Sequence, residues 1–385
     1  KVWTQPSNFS NPWWALTLSL RPPKTANMPD SNHSSPSQLG IAVVGSGSIA
    51  KTHAAALKQL PQVRFVGVVG RNPETTGKLA SEHSTRAFAT VEEVLKEPGL
   101  DALLIATPSG AHLDPALAAF RAGKHVLCEK PLATNAADAE AMAEAAARAG
   151  VVNMVNLSYR DVPALQKAAA MVRAGEIGEV RHFEASYLQS WLTQPGWGDW
   201  RTDPKWLWRV STAHGSKGVL GDVGIHILDF ATCIAGQDAA QVSCLLKTFD
   251  KAPGGRIGDY VLDANDSATM QIVLENGALG TVAATRFASG HLNDLRLRIY
   301  GDRGGLEVGF ENRVSRLRAC LSPDLETAAW HEVECPPVPT IYQRFIAAIR
   351  GEGAADPDFA RGAALQRLLD RAEESSVESG LSLAV

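Results

Sequence analysis

The chain has 385 residues, 45% hydrophobic and 20% charged, with a formal net charge of −4 at pH 7. That length fits two domains, or one large embellished domain with a sizeable core. No long basic run marks nucleic acid or an anionic membrane as a partner, and no stretch reaches the roughly 18 apolar residues that span a bilayer. The five cysteines (Cys128, Cys233, Cys244, Cys320, Cys335) are scattered and include no Cys-x-x-Cys. They argue against a disulfide framework or a structural zinc and fit a reducing cytoplasm.

Residues 13–20 (WWALTLSL) are the nearest thing to a signal h-region, but they lack a basic flank and a small-x-small cleavage site. Residues 1–27 stand ahead of a natural start at Met28, or they form an arm that packs on a partner subunit through Trp3, Trp13 and Trp14. The Pro/Ser/Asn-rich stretch 29–38 is a flexible lead-in. We take 1–38 as a separate segment.

From residue 39 the texture is regular. Ile41–Val44 is a short apolar run fit for a buried strand, and a helical pattern follows from Ile49 to about Leu60. Between them lies Gly45-Ser46-Gly47-Ser48-Ile49-Ala50, a Gly-x-Gly-x-x-Ala turn. In this context Gly45 permits a tight turn, Gly47 lets backbone approach a pyrophosphate, and Ala50 allows close packing of helix on strand. The helix N-terminus supplies unpaired N–H groups to the phosphates. The bland alternative is an ordinary glycine-rich strand–helix turn.

Strands are expected at 40–44, 63–69, 86–89, 102–106, 125–128 and 151–156, with helices near 49–60, 73–82, 91–97, 112–122 and 135–149. This alternation predicts a doubly wound parallel sheet over about 39–157, whose ligands bind beyond the carboxyl ends of its strands. After the second strand, Gly70-Arg71-Asn72 lacks the acid that would hold a ribose 2′-hydroxyl, and Arg71 suits a 2′-phosphate. The pattern favours NADP over NAD, against a solvated loop arginine. After the fourth comes Thr107-Pro108-Ser109-Gly110-Ala111-His112, and after the fifth Cys128-Glu129-Lys130-Pro131. A lysine before proline at a strand end is extended and aimed into the cleft, unless it forms a surface pair with Glu129.

Beyond Asn156 a helix is expected at 162–174, then strands at 180–190, 241–249, 267–275, 278–286, 294–300 and 304–309, with an Asn-Gly hairpin signal at 276–277. They predict an open, mostly antiparallel sheet in a second α/β domain, 158–340. Residues 341–385 supply closing helices near 341–350 and 360–378, packed on the second domain or back on the first. A helix near 217–235 interrupts the strands and carries Asp222, His226 and Asp229 at i, i+4, i+7. An acid one turn from a histidine can fix its tautomer and favour its protonated form, as for a general base. A helix-stabilising pair or a satisfied core histidine fits equally, and no third ligand spacing marks a metal site.

The segment before that helix, WLTQPGWGDWRTDPKWLWR, holds Trp191, Trp197, Trp200, Trp206 and Trp208. Such rings suit the apolar faces of a pyranose or cyclitol, with Asp199, Arg201, Asp203 and Lys205 for hydroxyls, and with Arg209 and His214 as weaker candidates. Self-packing of the loop, or packing on a neighbouring subunit, is the alternative.

Together these pieces resemble the Gfo/Idh/MocA oxidoreductases, the glucose–fructose oxidoreductase and inositol dehydrogenase family. The likeness rests on Gly45–Ala50, Thr107–His112, Gly123–Leu132 with its Glu-Lys-Pro, Tyr159-Arg160, Gly221–His226 and Pro357–Gly362, within 39–382. Arg361 stands where the family often carries an acid, a departure not expected to touch the chemistry. The resemblance implies catalytic roles for Lys130, Asp222 and His226. It implies cofactor contacts from Gly45, Ser46, Gly47, Ser48, Ile49, Arg71, Thr107, Pro108, Ser109, His112, Glu129 and Lys130. Substrate contacts are expected from Lys130, Tyr159, Arg160, Trp197, Trp200, Trp208, Asp222 and His226. His226 would take a hydroxyl proton as hydride leaves for the nicotinamide, Lys130 would orient the substrate, and Asp222 would orient His226. The expected activity is NAD(P)-dependent dehydrogenation of a sugar, glycoside or inositol-like polyol. Redox-neutral glycoside cleavage with tightly held NAD(H) is the alternative, and a non-enzymatic dinucleotide sensor has no need of Lys130, Asp222 and His226. A cytoplasmic homodimer or homotetramer joined through the open sheet is expected.

Overall fold

The structure, a computed structural model, describes residues 38–385, without the side chains of Pro204 and Lys205. The readings made for the arm before them lie outside the described residues.

The first domain runs β1 (Leu39–Val44), α1 (Ser48–Lys58), β2 (Val63–Val69), α2 (Pro73–Glu82), β3 (Arg86–Phe88), α3 (Val91–Val94), β4 (Ala102–Ile105), α4 (Leu113–Arg121), β5 (His125–Cys128), α5 (Ala136–Ala149) and β6 (Asn153–Val155). All six strands are parallel, in the order β3-β2-β1-β4-β5-β6. β1 and β4 are buried almost end to end, as strands covered on both faces must be. The order reverses between β1 and β4, and a crevice opens there beyond the strand ends. α1 turns Ala50, His53, Ala54 and Leu57 inward, a helical stripe that seats it on the sheet.

The second domain runs α6 (Pro163–Arg173), β7 (Val180–Gln189), α7 (Pro204–Leu207), α8 (Ile225–Ala235), β8 (Ala239–Lys247), β9 (Arg256–Ile257), β10 (Tyr260–Val261), β11 (Ser267–Leu274), β12 (Leu279–Thr285), β13 (Asn293–Gly301), β14 (Gly304–Glu311), β15 (Val314–Leu321) and β16 (His331–Glu332), followed by α9 (Ile341–Ile349), α10 (Phe359–Val377) and β17 (Leu383–Ala384). Its nine-stranded sheet has the order β16-β15-β14-β13-β7-β12-β11-β8-β17, antiparallel throughout except for the β7–β12 pair. Phe183, Ala185 and Tyr187 alternate inward along β7 toward α8, while α6 packs on β14 and β15. The outer face carries an ion-pair ladder, with Arg298 against Glu184 (3.6 Å) and Arg318 against Glu307 (2.8 Å).

Two expectations change. β15 is a strand that sequence reading passed over, because its inward series Ser315, Leu317, Ala319 is far less apolar than Leu295, Leu297, Ile299 of β13. The helix expected over 217–235 begins as a π-helical turn, Leu220–Gly224, before α8 takes over. The closing helices go two ways. Ile341, Phe345 and Ile346 of α9 join the core formed by Ile41, Val43 and Leu57 of the first domain, while α10 packs between α5 and β8.

Candidate active site

The glycine-rich turn leaves β1 with Gly45 at φ +124°, where a Cβ would lie 2.7 Å from the Ala106 carbonyl oxygen. Only glycine meets both demands. Among the described residues, a Cβ on Gly47 would meet no atom within 4 Å, so open space lies over the turn. α1 starts at Ser48 with no side-chain cap, leaving its first N–H groups for a ligand. Gly47, Ser48 and Ile49 are exposed, and the turn fits a dinucleotide pyrophosphate. Ser46 is held by Thr75 (Oγ to Oγ1, 2.8 Å), and the exposed Arg71 lies past β2 beside Asn72, which caps α2. Thr107, Pro108 and Ser109 form the next lip, with Thr107 Oγ1 donating to the Ala111 carbonyl at 3.1 Å. His112 does not join it. Its wholly buried ring lies between the carbonyls of Leu132 (3.1 Å) and Thr107 (2.8 Å), beneath the cleft.

Glu129 is likewise internal. Its Oε1 accepts from His53 Nε2 (2.9 Å) and Asn156 Nδ2 (2.6 Å), and Oε2 accepts from the Lys130 N–H (3.1 Å). Burial opposes its charge, but His53 and Asn156 outweigh that and hold the carboxyl at about 2. On its other side, His53 Nδ1 is hydrogen-bonded to the Tyr342 hydroxyl of α9, 2.8 Å away. Glu129 therefore anchors the strand end, and the lysine after it reaches across the cleft. Lys130 Nζ donates to the main-chain oxygen of Asp222 (2.9 Å) and to its Oδ1 (3.2 Å). An ammonium has three donors, so one remains for a substrate.

Asp222 departs from expectation. It does not bond His226; its Oδ2 accepts from Arg209 Nη1 (2.8 Å) and Arg286 Nη2 (3.0 Å). Burial works against its ionisation, yet Arg209, Lys130 and Arg286 together hold the carboxyl well below the usual range. The π turn changes the pitch between Asp222 and His226, and three cations outcompete one imidazole for the carboxylate. His226, 8% exposed, keeps Nδ1 buried with no hydrogen-bond partner among the described residues. Burial and the nearby Lys130 lower it to about 3, so it is neutral rather than favoured as imidazolium. Its ring meets Tyr159 edge-on (5.0 Å, 85°). The Tyr159 hydroxyl is 2.5 Å from that of Tyr187 and accepts from Asn293 Nδ2 at 2.7 Å, which makes Tyr159 a wall for the imidazole.

Arg160 is not at the cleft. It grips Asp229 bidentately (2.6 and 2.8 Å) in the interior, and Arg361 adds a third bond to that carboxylate at 3.0 Å. Arg361 thus joins a buried network next to the site helix. The tryptophans divide. Trp191 and Trp200, each 2% exposed, form a small core with Leu192, Leu207, Val210 and Leu262, which corrects the assignment of Trp200 to substrate. Trp197 is half-buried against Trp206. Trp208 is 39% exposed, with the Arg209 guanidinium 4.8 Å from its ring. Because Arg209 also holds Asp222, Trp208 stands at the rim of the site. His214 stacks on Tyr260 instead. Arg286 was missed, although a signal existed: it continues the inward-facing series Val282, Ala284, where a charge needs a reason.

A parallel sheet with an open phosphate turn, facing a lysine and an uncommitted histidine, defines a dinucleotide-dependent oxidoreductase. The chain belongs to the Gfo/Idh/MocA oxidoreductases. Residues 39–157 match the oxidoreductase family, NAD-binding Rossmann fold, and residues 165–307 match the GFO/IDH/MocA C-terminal domain. Levoglucosan dehydrogenase of Pseudarthrobacter phenanthrenivorans is 30% identical over 301 residues, 71% of this chain and 74% of its own. An oxidoreductase domain protein from Kribbella flavida superimposes with a TM-score of 0.78 at 31% identity, over 91% of this chain and 99% of that one. Levoglucosan dehydrogenase in complex with NADH and L-sorbose does so with a TM-score of 0.78 at 27% identity, over 91% and 99%.

Proposed function

We propose that this chain is an NAD(P)-dependent dehydrogenase of a sugar, glycoside or inositol-like polyol. The observation that carries the reading is the meeting of Lys130 Nζ with Asp222 beside the unpartnered His226, just beyond the strand ends that present the phosphate turn. Bound nicotinamide would supply the hydride acceptor. Gly45–Ile49, Arg71, Thr107, Pro108 and Ser109 would hold it, and the absence of an acid beside Arg71 favours NADP. The third donor of Lys130 holds the substrate hydroxyl and stabilises negative charge on its oxygen. A ring nitrogen of neutral His226 takes the hydroxyl proton. Trp208 offers an apolar face at the rim to a sugar ring. The outer sheet face, with Leu245, Leu279 and Val314 exposed, serves as a homodimer or homotetramer contact, which sedimentation tests.

The deciding experiment follows reduced-nicotinamide absorbance with NAD⁺ and NADP⁺ separately, across aldoses, glycosides, inositols and sugar acids. Sustained reduction with one substrate class is expected. No reduction anywhere, with nucleotide released on denaturing the protein, would replace the dehydrogenase by redox-neutral glycoside cleavage.

A further inference from the structure

Arg286 lies one residue past β12, on the face that buries Val282 and Ala284, and is 0% exposed. Sequestering a guanidinium there is costly unless its donors are met. Three of its five N–H donors are met, by three segments, while Nε is buried with no hydrogen-bond partner among the described residues. Nη1 donates to the Arg209 main-chain oxygen (2.9 Å), while Nη2 donates to the Gly218 main-chain oxygen (3.1 Å) and to Asp222 Oδ2 (3.0 Å). One side of the guanidinium packs 5.1 Å from the Trp191 ring, and the Arg286 N–H is tied to the Asp266 carbonyl at 3.0 Å. The group is thus fixed before any ligand arrives.

Its effect passes through Asp222. With Oδ2 occupied by Arg286 and Arg209, Oδ1 and the main-chain oxygen remain to hold Lys130 Nζ. A carboxylate pinned at one oxygen cannot rotate, so the lysine it holds has one direction left for its third donor. Arg209 cannot do this alone, because its side chain is 31% exposed and its own main chain is positioned by Arg286.

We propose that Arg286 is a positioning residue that aims Lys130 at the substrate by fixing the Asp222 carboxylate. The inference rests on the dehydrogenase reading for what Lys130 does, but not for where Lys130 points. The test is a double-mutant cycle with Arg286→Ala, Asp222→Asn and the double variant, each checked for nucleotide binding. With Asp222 present, losing Arg286 should lower kcat about 10- to 100-fold with nucleotide affinity within about threefold. In the Asp222→Asn background the same change should cost less than about threefold. An equal loss in both backgrounds would overturn the proposal and leave Arg286 a structural tie. Should Arg286→Ala not fold, Arg286→Lys enters the same cycle with the same dependence on Asp222 expected. A crystal structure of the variant decides independently of turnover. Asp222 Oδ1 is expected to leave Lys130 Nζ, and an unchanged contact sinks the inference. If the wild type reduces neither nucleotide, the proposed function fails while that structure still answers for Arg286.

Discussion

Lys130 Nζ, on the first domain, lies 2.9 Å from the main-chain oxygen and 3.2 Å from Oδ1 of Asp222, on the second. The bond crosses the cleft in which hydride transfer is proposed. Lys130→Met should lower kcat by about 10²- to 10³-fold, as loss of a charge-stabilising donor does. Nucleotide affinity should stay within a few-fold, since the phosphate turn is untouched. Stopped-flow turnover and nucleotide titration separate the two, and full activity in Lys130→Met would remove the lysine from the chemistry.

His226 carries a pH signature. Its folded value of about 3 lies below the ordinary 6.5 because burial disfavours the imidazolium. The unfolded chain therefore binds the extra proton, and stability falls as pH drops below about 6.5. Glu129 and Asp229, both near 2 in the fold, add their loss below about pH 4. Melting temperature against pH should be flatter between pH 4 and 6.5 for His226→Gln than for the wild type. The same variant should lose most of its turnover. Parallel melting curves would contradict the buried neutral assignment.

Arg71 sets the nucleotide preference in the proposed reading. Arg71→Ala should raise KM for NADP⁺ about tenfold, the size of one lost charge-assisted bond, and leave NAD⁺ within about twofold. Steady-state kinetics with both nucleotides decide it, and equal changes for the two would make Arg71 a bystander.

Two tryptophans make opposite predictions. Trp200→Ala should destabilise the fold by about 3–5 kcal/mol, because its ring fills the small core beside Trp191. Trp208→Ala should leave the melting temperature nearly unchanged and raise the substrate KM several-fold. Denaturant melts and initial rates on both variants test the division, and swapped outcomes would reverse it.

Arg160 belongs to stability. Arg160→Met strands the Asp229 carboxylate with Arg361 alone and should cost about 3–5 kcal/mol. Calorimetry reads this, and a stable variant with a raised substrate KM would return Arg160 to the cleft.

The parallel sheet was legible because each buried strand ends in a turn with its own chemistry: Gly45, Arg71, Thr107 and Lys130 all follow strands. The second sheet was legible from alternation wherever the inward series was strongly apolar, as in Leu295, Leu297 and Ile299. Spacing along a helix placed Asp222 and His226 together but could not say which partner each takes. That depends on Arg209 and Arg286, 13 and 64 residues away from Asp222 in the chain, and on a π turn that no periodicity announces. The tryptophan cluster was legible as a cluster, while its division into core and rim was set by three-dimensional packing.

The polypeptide leaves the first domain after β6 and comes back to it at α9, where Ile341, Phe345 and Ile346 rest on Ile41, Val43 and Leu57, and Tyr342 bonds His53. A single protease nick near residue 157 would therefore not release an independent nucleotide-binding fragment. The severed piece would remain clasped by the tail, and a fragment expressed without that tail would bare a greasy seat and lose the partner of His53. The two halves of this molecule are laced rather than strung in series.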